Sequence, residues 1–207
     1  MSLYLVRHAE STANASGLLV GRTDAMLSEN GRGQAAALGP VLADLLGPSI
    51  HKARVISSPL SRAIETASIA LPGVEPDLDE RWVEIDYGDY EGRELVSFDR
   101  GSWMAWRSDP AFTPPGGESL EVLYTRVSCA CAELFDAAGK APPGDPVVVF
   151  SHVSPIKAAV AWALGVGVAV AWRMHLSTAS ITSITFGREA PQLEQYNLDV
   201  ASWSSCS

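Results

Sequence analysis

Val147-Val148-Val149-Phe150-Ser151-His152-Val153-Ser154-Pro155-Ile156-Lys157 is the stretch that decides how this chain folds. Four apolar residues in a row do not alternate, so they predict a strand covered on both faces, as in a parallel sheet. Pro155 then stands near the start of a helix, about Ile156 to Leu164, because the first helical turn has N–H groups with no intrahelical acceptor. A buried strand running straight into a helix is the unit of an α/β fold.

The unit recurs upstream. Leu3 to Val6 is a second short apolar run, and Arg54 to Ser57 reads as a third strand. Ser58 follows as an N-cap with Pro59 at the first helical position, which predicts a helix from Pro59 to about Ala70. Ala35, Leu38, Leu42, Leu45 and Leu46 share one face of a helix from about Ser28 to Leu46, in which Pro40 is expected to cause a kink or an early stop. The polar run from Leu18 to Asn30 reads as loop. Ser119 caps a long helix reaching about Ala138, Ala141 to Pro146 is a Pro/Gly loop, and Ser180 to Phe186 and Leu193 to Tyr196 read as closing strands. The expected class is α/β, a three-layer α/β/α arrangement with a mostly parallel central sheet. One domain, 1–207, is expected, with a small irregular or helical cap insert at about 85–117 that ends in Pro114-Pro115-Gly116-Gly117.

Composition narrows the partners. The chain has 207 residues, 47% of them hydrophobic, and a net charge of −9. That charge argues against nucleic acid or an anionic membrane, since both need a basic face. A phosphate ligand is admissible only through a local cluster of cations. Cys129, Cys131 and Cys206 match neither a zinc spacing nor a disulfide framework, which points to a reducing cytoplasm. Met-Ser-Leu-Tyr-Leu-Val, before Arg7, has neither the basic region nor the apolar length of a signal peptide. Ala158 to Trp172 is apolar but shorter than the ~20 residues of a membrane span, and Lys157 and Arg173 bracket it. It reads as a buried helix followed by a loop.

The chemistry-bearing residues sit at strand ends. Arg7 and His8 follow the first strand, Ser151 and His152 follow Val147–Phe150, and Arg62 lies in the first turn of the helix after the second strand. Ligands of open α/β sheets bind outside the carboxyl ends of strands. Three strand ends therefore bring cations and imidazoles to one edge, and the Ser58-capped helix adds a dipole that favours an anion. Taken singly, each residue has a plainer reading: Arg7-His8 as surface chemistry, Arg62 as a solvated helix residue, His152 as a cap, Glu84 as a solvent-facing acid. His51 and His175 have no motif behind them, and the plain reading holds for both.

Leu5-Val6-Arg7-His8-Ala9-Glu10-Ser11, with Asn14 six beyond the histidine, resembles the signature of the histidine phosphatase (phosphoglycerate mutase-like) superfamily. Gly21-Arg22-Thr23-Asp24, Ser57-Ser58-Pro59-Leu60-Ser61-Arg62-Ala63, Glu84 before Gly88-Asp89-Tyr90-Glu91-Gly92, Gly116-Gly117-Glu118-Ser119 and Ser151-His152 follow in the family's order. The resemblance implies a phosphatase that hydrolyses phosphate monoesters of small metabolites through a phosphohistidine on His8. It implies Arg7, Arg62 and His152 as stabilisers of the transferring oxygens, Glu84 as acid and base, and Asn14, Arg22, Thr23 and Val153 as substrate-binding residues. Ser154 is a further candidate for the pocket wall. No metal and no cofactor are implied; the cations take the place of magnesium. A homodimer is compatible with all of this.

Two other functions compete. Mutases of the superfamily resemble one another in adjacent arginines carried by a long insert, whereas Arg93, Arg100, Arg107, Arg126 and Lys140, the cations between Glu84 and His152, include no adjacent pair. Hydrolysis is therefore favoured over isomerisation by a cofactor-dependent phosphoglycerate mutase. A non-catalytic phospholigand-binding module ranks last, because no catalytic residue is missing. Val153 stands where a glycine usually follows the second histidine, a departure that resembles the α-ribazole-phosphate phosphatase-like branch, including acid phosphatases. Residues 82–112 hold seven of the chain's sixteen aromatics. They are read as the core of the insert, though such a roof could also accept an apolar or ring-bearing alcohol.

Overall fold

The computed structural model describes residues 1–98, 100–140, 145–187, 190–200 and 203, with side chains at all of these except 100, 102 and 138–140. Cys206, the first four residues of the expected 141–146 loop, and the side chains of Arg100 and Lys140 lie outside the described residues.

Six strands form one sheet in the order β3-β2-β4-β1-β5-β6. They are β1 (Ser2–Arg7), β2 (Arg54–Ser57), β3 (Asp77–Leu78), β4 (Val147–Ser151), β5 (Ser180–Phe186) and β6 (Pro191–Asp199). β3, β2, β4 and β1 are parallel to one another, and β5 and β6 close the sheet antiparallel. The absence of alternation in β1 and β4 has a direct cause. Leu3, Leu5, Val147 and Val149 face a core shared with α5 (Leu120–Lys140) and α6 (Val153–Ala163). Val6, Val148 and Phe150 face a second core shared with α2 (Glu29–Leu46) and α3 (Ser61–Ala70). Helices on both faces make three layers, and every central position is apolar because neither face meets water.

Three boundaries differ from expectation, each for a physical reason. α2 runs unbroken past Pro40, because Pro40 and Ala36 lie on the exposed face and the carbonyl freed by the missing N–H can meet water. α3 begins at Ser61 rather than Pro59, and Ser58 is not its N-cap. The Asp24 carboxylate caps it instead, accepting from the Ser61 N–H at 2.9 Å and from the Ser61 hydroxyl. The dipole expected to face a phosphate is thus already matched by a carboxylate. α6 begins at Val153, three residues early, with His152 at its N-cap position.

Two short elements were absent from the sequence reading: α1 (Thr12–Ala15), capped by Ser11, and the two-residue β3. Residues 85–117 hold 3-10 turns and α4 (Arg100–Ser108). Within the segment Tyr87, Tyr90, Phe98, Trp103 and Phe112 form a run of ring contacts that meets at the buried Trp106, which also touches Trp172. Cys129 is exposed and Cys131 buried, on different faces of α5. Among the described residues no helix is long and apolar enough to cross a membrane.

Candidate active site

Register places the strand ends side by side. Arg7 lies opposite Ser151 and Ser57 opposite Phe150, and the first residue past each strand keeps the ladder going. His8 donates its N–H to the Ser151 carbonyl at 2.9 Å, and Ser58 donates to Phe150 at 2.9 Å. His8, Ser58 and His152 therefore emerge at one edge, with the His8 and His152 ring centroids 5.0 Å apart.

His8 Nδ1 lies 2.7 Å from the Ala9 carbonyl, which can only accept. Nδ1 therefore carries the hydrogen and Nε2 keeps its lone pair. Burial, followed by the positive charges of Arg7 and Arg62, holds the ring well below the usual imidazole range, so it stays neutral. The Ala9 N–H is tied to the Thr66 hydroxyl at 3.1 Å, and that hydroxyl donates to the Arg62 carbonyl at 2.6 Å. Helix α3 thus clamps the loop that carries the imidazole.

His152 is fully buried, with Nε2 at 2.7 Å from Ser58 Oγ. Ser58 Oγ already accepts the Leu60 N–H at 3.3 Å, so its own hydrogen is available to donate to Nε2. The His152 proton then sits on Nδ1, a buried atom with no partner among the described residues. Burial and the charge of Arg62 also hold this ring neutral. A neutral N–H donor at such a site suits a phosphoryl oxygen.

Both arginines are anchored by carbonyls, and among the described residues neither forms an ion pair. Arg7 Nη1 donates to Leu176 at 2.6 Å, while its Nε is buried without a partner. Burial lowers its pKa to about 10, with Glu84 opposing the shift, so it is still a cation at neutral pH. Arg62, 1% exposed, donates to the Gly21 carbonyl at 2.6 Å and the Thr23 carbonyl at 3.0 Å.

The Gly21–Thr23 loop is held in turn by Glu91, which accepts the N–H groups of Arg22 and Thr23 at 2.7 Å each, and the Thr23 hydroxyl. Burial works against the ionised Glu91, but these donors hold its pKa below the usual carboxylate range. A Cβ on Gly21 would come within 2.3 Å of the Ile85 carbonyl, so only glycine lets the loop approach this closely. Gly88, at φ +52°, packs against the backbone of Pro115–Gly117 in the same way.

Glu84 is 5% exposed and sits at the start of α6. Its Oε1 accepts from Ile85 N–H at 2.8 Å and Ser154 N–H at 3.2 Å. Its backbone carbonyl accepts from Arg126 Nη2 at 3.2 Å, and Arg126 is gripped by both oxygens of Glu118 at 2.8 Å. The Glu118–Arg126 pair, its carboxylate buried and its guanidinium half-buried, braces the segment that carries Glu84.

The structure brings His8, Arg7, Arg62, His152 and Glu84 to one place. The remaining expected residues are arranged differently. The Asn14 carboxamide oxygen closes a capping box with Ser11, leaving the amide nitrogen as its free end. Arg22 stands at the surface beside Asp86 and Glu118, 3.7 and 3.5 Å away. Thr23 contributes its carbonyl to Arg62, while its hydroxyl belongs to Glu91. Val153 lines a cavity next to Glu84. Ser58 as partner of His152, Glu91 as loop anchor and Arg126 as brace were not foreseen. The Gly-Asp-Tyr-Glu-Gly and Gly-Gly-Glu-Ser stretches marked two of these neighbourhoods without giving their roles.

A neutral buried imidazole at a strand end, flanked by two arginines and a second imidazole, is an arrangement suited to an anion on a three-layer α/β fold. The chain belongs to the histidine phosphatase superfamily, branch 1, whose family model matches residues 3–199. It is 34% identical over 189 residues to a bifunctional protein of Mycobacterium tuberculosis, covering 89% of this chain and 50% of that protein. It thus spans about half the length of the curated relatives it first matches. It is 34% identical over 190 residues to phosphoserine phosphatase 1 of Hydrogenobacter thermophilus, covering 89% of this chain and 86% of the relative. The structure of a mycobacterial glucosyl-3-phosphoglycerate phosphatase in complex with VO3 superposes with a TM-score of 0.83 at 30% identity, covering 95% of this chain and 98% of that one.

Proposed function

We propose that the chain hydrolyses phosphate monoesters of small metabolites in two steps through a phosphohistidine on His8. The observation that carries the reading is the Nδ1 anchor of His8, which leaves a neutral Nε2 lone pair between Arg7 and Arg62. Nε2 attacks phosphorus and the P–O ester bond breaks, while the leaving oxygen takes a proton from the Glu84 carboxyl group. Water then attacks phosphorus, the P–N bond breaks, and the water's proton returns to Glu84. Arg7, Arg62 and His152 Nδ1–H stabilise the three equatorial oxygens, with Asn14 as a further donor. Arg22, Thr23 and Val153 border the bound ester.

Hydrolysis is favoured over mutase transfer because the arginines near the site are already engaged. Arg126 is held by Glu118, Arg107 bonds the Trp172 carbonyl at 2.9 Å, and Arg93 lies over the Tyr90 ring. Catalysis without a metal is proposed because Arg7 and Arg62 already bring positive charge to the strand-end edge beside His8. The segment 85–117 is taken as a cap over the site within a single domain. Free thiols at Cys129 and Cys131 support a reducing, cytoplasmic setting.

Quenching turnover of p-nitrophenyl phosphate in denaturant at alkaline pH should trap an acid-labile, base-stable phosphoryl group. EDTA should leave turnover intact, and His8→Ala should abolish both label and phosphate release. Retained turnover in that variant, or loss with EDTA restored by magnesium, would overturn the reading.

A further inference from the structure

Among the described residues the Arg7 side chain makes one hydrogen bond, from Nη1 to the Leu176 carbonyl at 2.6 Å. That carbonyl belongs to residues 174–179, which form neither helix nor strand between the 3-10 turn Val168–Arg173 and β5. Its direction is fixed from the other end of the same peptide group. The Leu176 C=O and the Ser177 N–H share one rigid plane and point in opposite directions, so holding either holds the other. The Ser177 N–H donates at 2.7 Å to the Asn197 carboxamide, whose oxygen is the atom able to accept it.

Asn197 is brought there by a bulge at the edge of the sheet. Ile181 pairs with Leu198 and Ser183 with Gln195, so Tyr196 and Asn197 of β6 together stand opposite Thr182 alone. An extra residue of this kind re-aims the side chains of the bulged strand. Asn197 adopts φ +55°, a left-handed conformation that glycine takes most easily and asparagine next. Its N–H donates to the buried Thr182 hydroxyl at 3.2 Å. Ser180 donates its hydroxyl to the Ser177 carbonyl at 2.7 Å, and the Ala179 N–H reaches the His8 carbonyl at 3.3 Å. Of these bonds, only that of the Asn197 carboxamide acts on the peptide group that Arg7 grips. The other bulge residue bears on Arg7 as well: the Tyr196 hydroxyl is buried without a partner among the described residues and feels the arginine's charge.

Resting on the phosphatase reading, we infer that Asn197 is a positioning residue for Arg7: its carboxamide oxygen orients the Leu176–Ser177 peptide, and the carbonyl of that peptide orients the guanidinium toward the phosphoryl group on His8. Hydrogen bonds in such a chain polarise one another, so loss of the first weakens the last. Glycine would suit the backbone of the bulge equally well but offers no acceptor. The carboxamide is therefore the part of Asn197 that the relay needs.

The test is a double-mutant cycle on p-nitrophenyl phosphate hydrolysis. Asn197→Gly keeps the left-handed backbone easy and should lower kcat/KM about five-fold, the scale of one hydrogen bond. Asn197→Asp keeps an acceptor for the Ser177 N–H and should stay within about two-fold of wild type. In an Arg7→Met background, Asn197→Gly should have no further effect on kcat/KM, because the group it positions is gone. Calorimetric binding of vanadate, an oxyanion that mimics the transferring group, should weaken in Asn197→Gly, hold in Asn197→Asp and show the same non-additivity with Arg7→Met. Urea midpoints report whether each variant is folded, and Asn197→Ala carries the same cycle if the glycine variant is not. A loss that persists in the Arg7→Met background, equal losses in the glycine and aspartate variants, or an unchanged rate in Asn197→Gly overturns the inference and leaves the phosphatase reading standing. No phosphate release by the wild type overturns that reading, and the vanadate cycle then decides the relay alone.

Discussion

The strand-end cradle and the aromatic segment 85–117 are built by opposite rules. In the cradle, His8, Arg62 and His152 are 4%, 1% and 0% exposed, and each has a ring or guanidinium nitrogen fixed by a short hydrogen bond. In the segment 85–117, Val96 is 88% and Met104 60% exposed, and the side chains are held largely by ring contacts. Hydrogen bonds to backbone carbonyls are directional and fix atoms closely, as in-line phosphoryl transfer demands. Ring contacts permit several geometries at similar energy, so they fix atoms less closely. The difference teaches that one chain fixes some side chains by directed hydrogen bonds and holds others by contact alone.

Substitutions should expose that division, beginning with the cradle. Arg62→Ala should lower kcat/KM by ~10²–10³, the scale for losing one preorganised donor, and should also cost stability by stranding the Gly21 and Thr23 carbonyls. Steady-state kinetics with urea unfolding checks both, and a loss under ten-fold would mean the arginine is structural only. Arg126→Met should cost about 2 kcal/mol by leaving the Glu118 carboxylate with Arg22, 3.5 Å away, as its remaining cation. A double-mutant cycle with Glu118→Gln should recover much of that loss in urea midpoints; strict additivity would dissolve the brace.

The two buried imidazoles give the cradle a pH signature. Each has its folded pKa held below the ordinary 6.5, so the unfolded chain binds the extra protons as the pH falls. Stability is therefore full above about pH 6.5 and declines below it, until the folded pKa is reached, by up to about 1.4 kcal/mol per pH unit for each ring. Urea midpoints at successive pH values should show this decline, and His152→Asn should lower the slope. An unchanged slope would mean that His152 does not titrate in this way. Ser58→Ala should reduce kcat/KM by roughly five-fold, the worth of about 1 kcal/mol from one hydrogen bond that sets the His152 tautomer. Ser58→Thr should restore the rate. At the other extreme, Met104→Ala should stay within ~0.5 kcal/mol in urea unfolding and leave p-nitrophenyl phosphate turnover nearly unchanged. A large effect there would join the two regions into one machine.

Much of the cradle's placement was legible in the chain because strand ends and residue types are local facts. Val147–Phe150 and Leu3–Val6 are apolar without alternation, so a sheet covered on both faces follows, and Arg7, His8 and His152 must then meet at its carboxyl edge. The same local reading misplaced the start of α3, because Asp24, not Ser58, satisfies its first N–H. It also expected Pro40 to kink or shorten α2, which runs on to Leu46 because the exposed face lets water replace the missing bond.

By itself the sequence determined the fold class and the strand-end arrangement, because periodicity and strand-to-helix junctions are written in neighbouring residues; the resemblance to the superfamily supplied the set of candidate catalytic side chains, Glu84 above all. Only the tertiary structure decided which groups hold those side chains. Ser58 on His152, Glu91 under the Arg62 loop and Arg126 behind Glu84 are relations between distant segments. They leave no period in the chain, and they form only when backbone and side-chain donors, withdrawn from water, must each find an acceptor nearby.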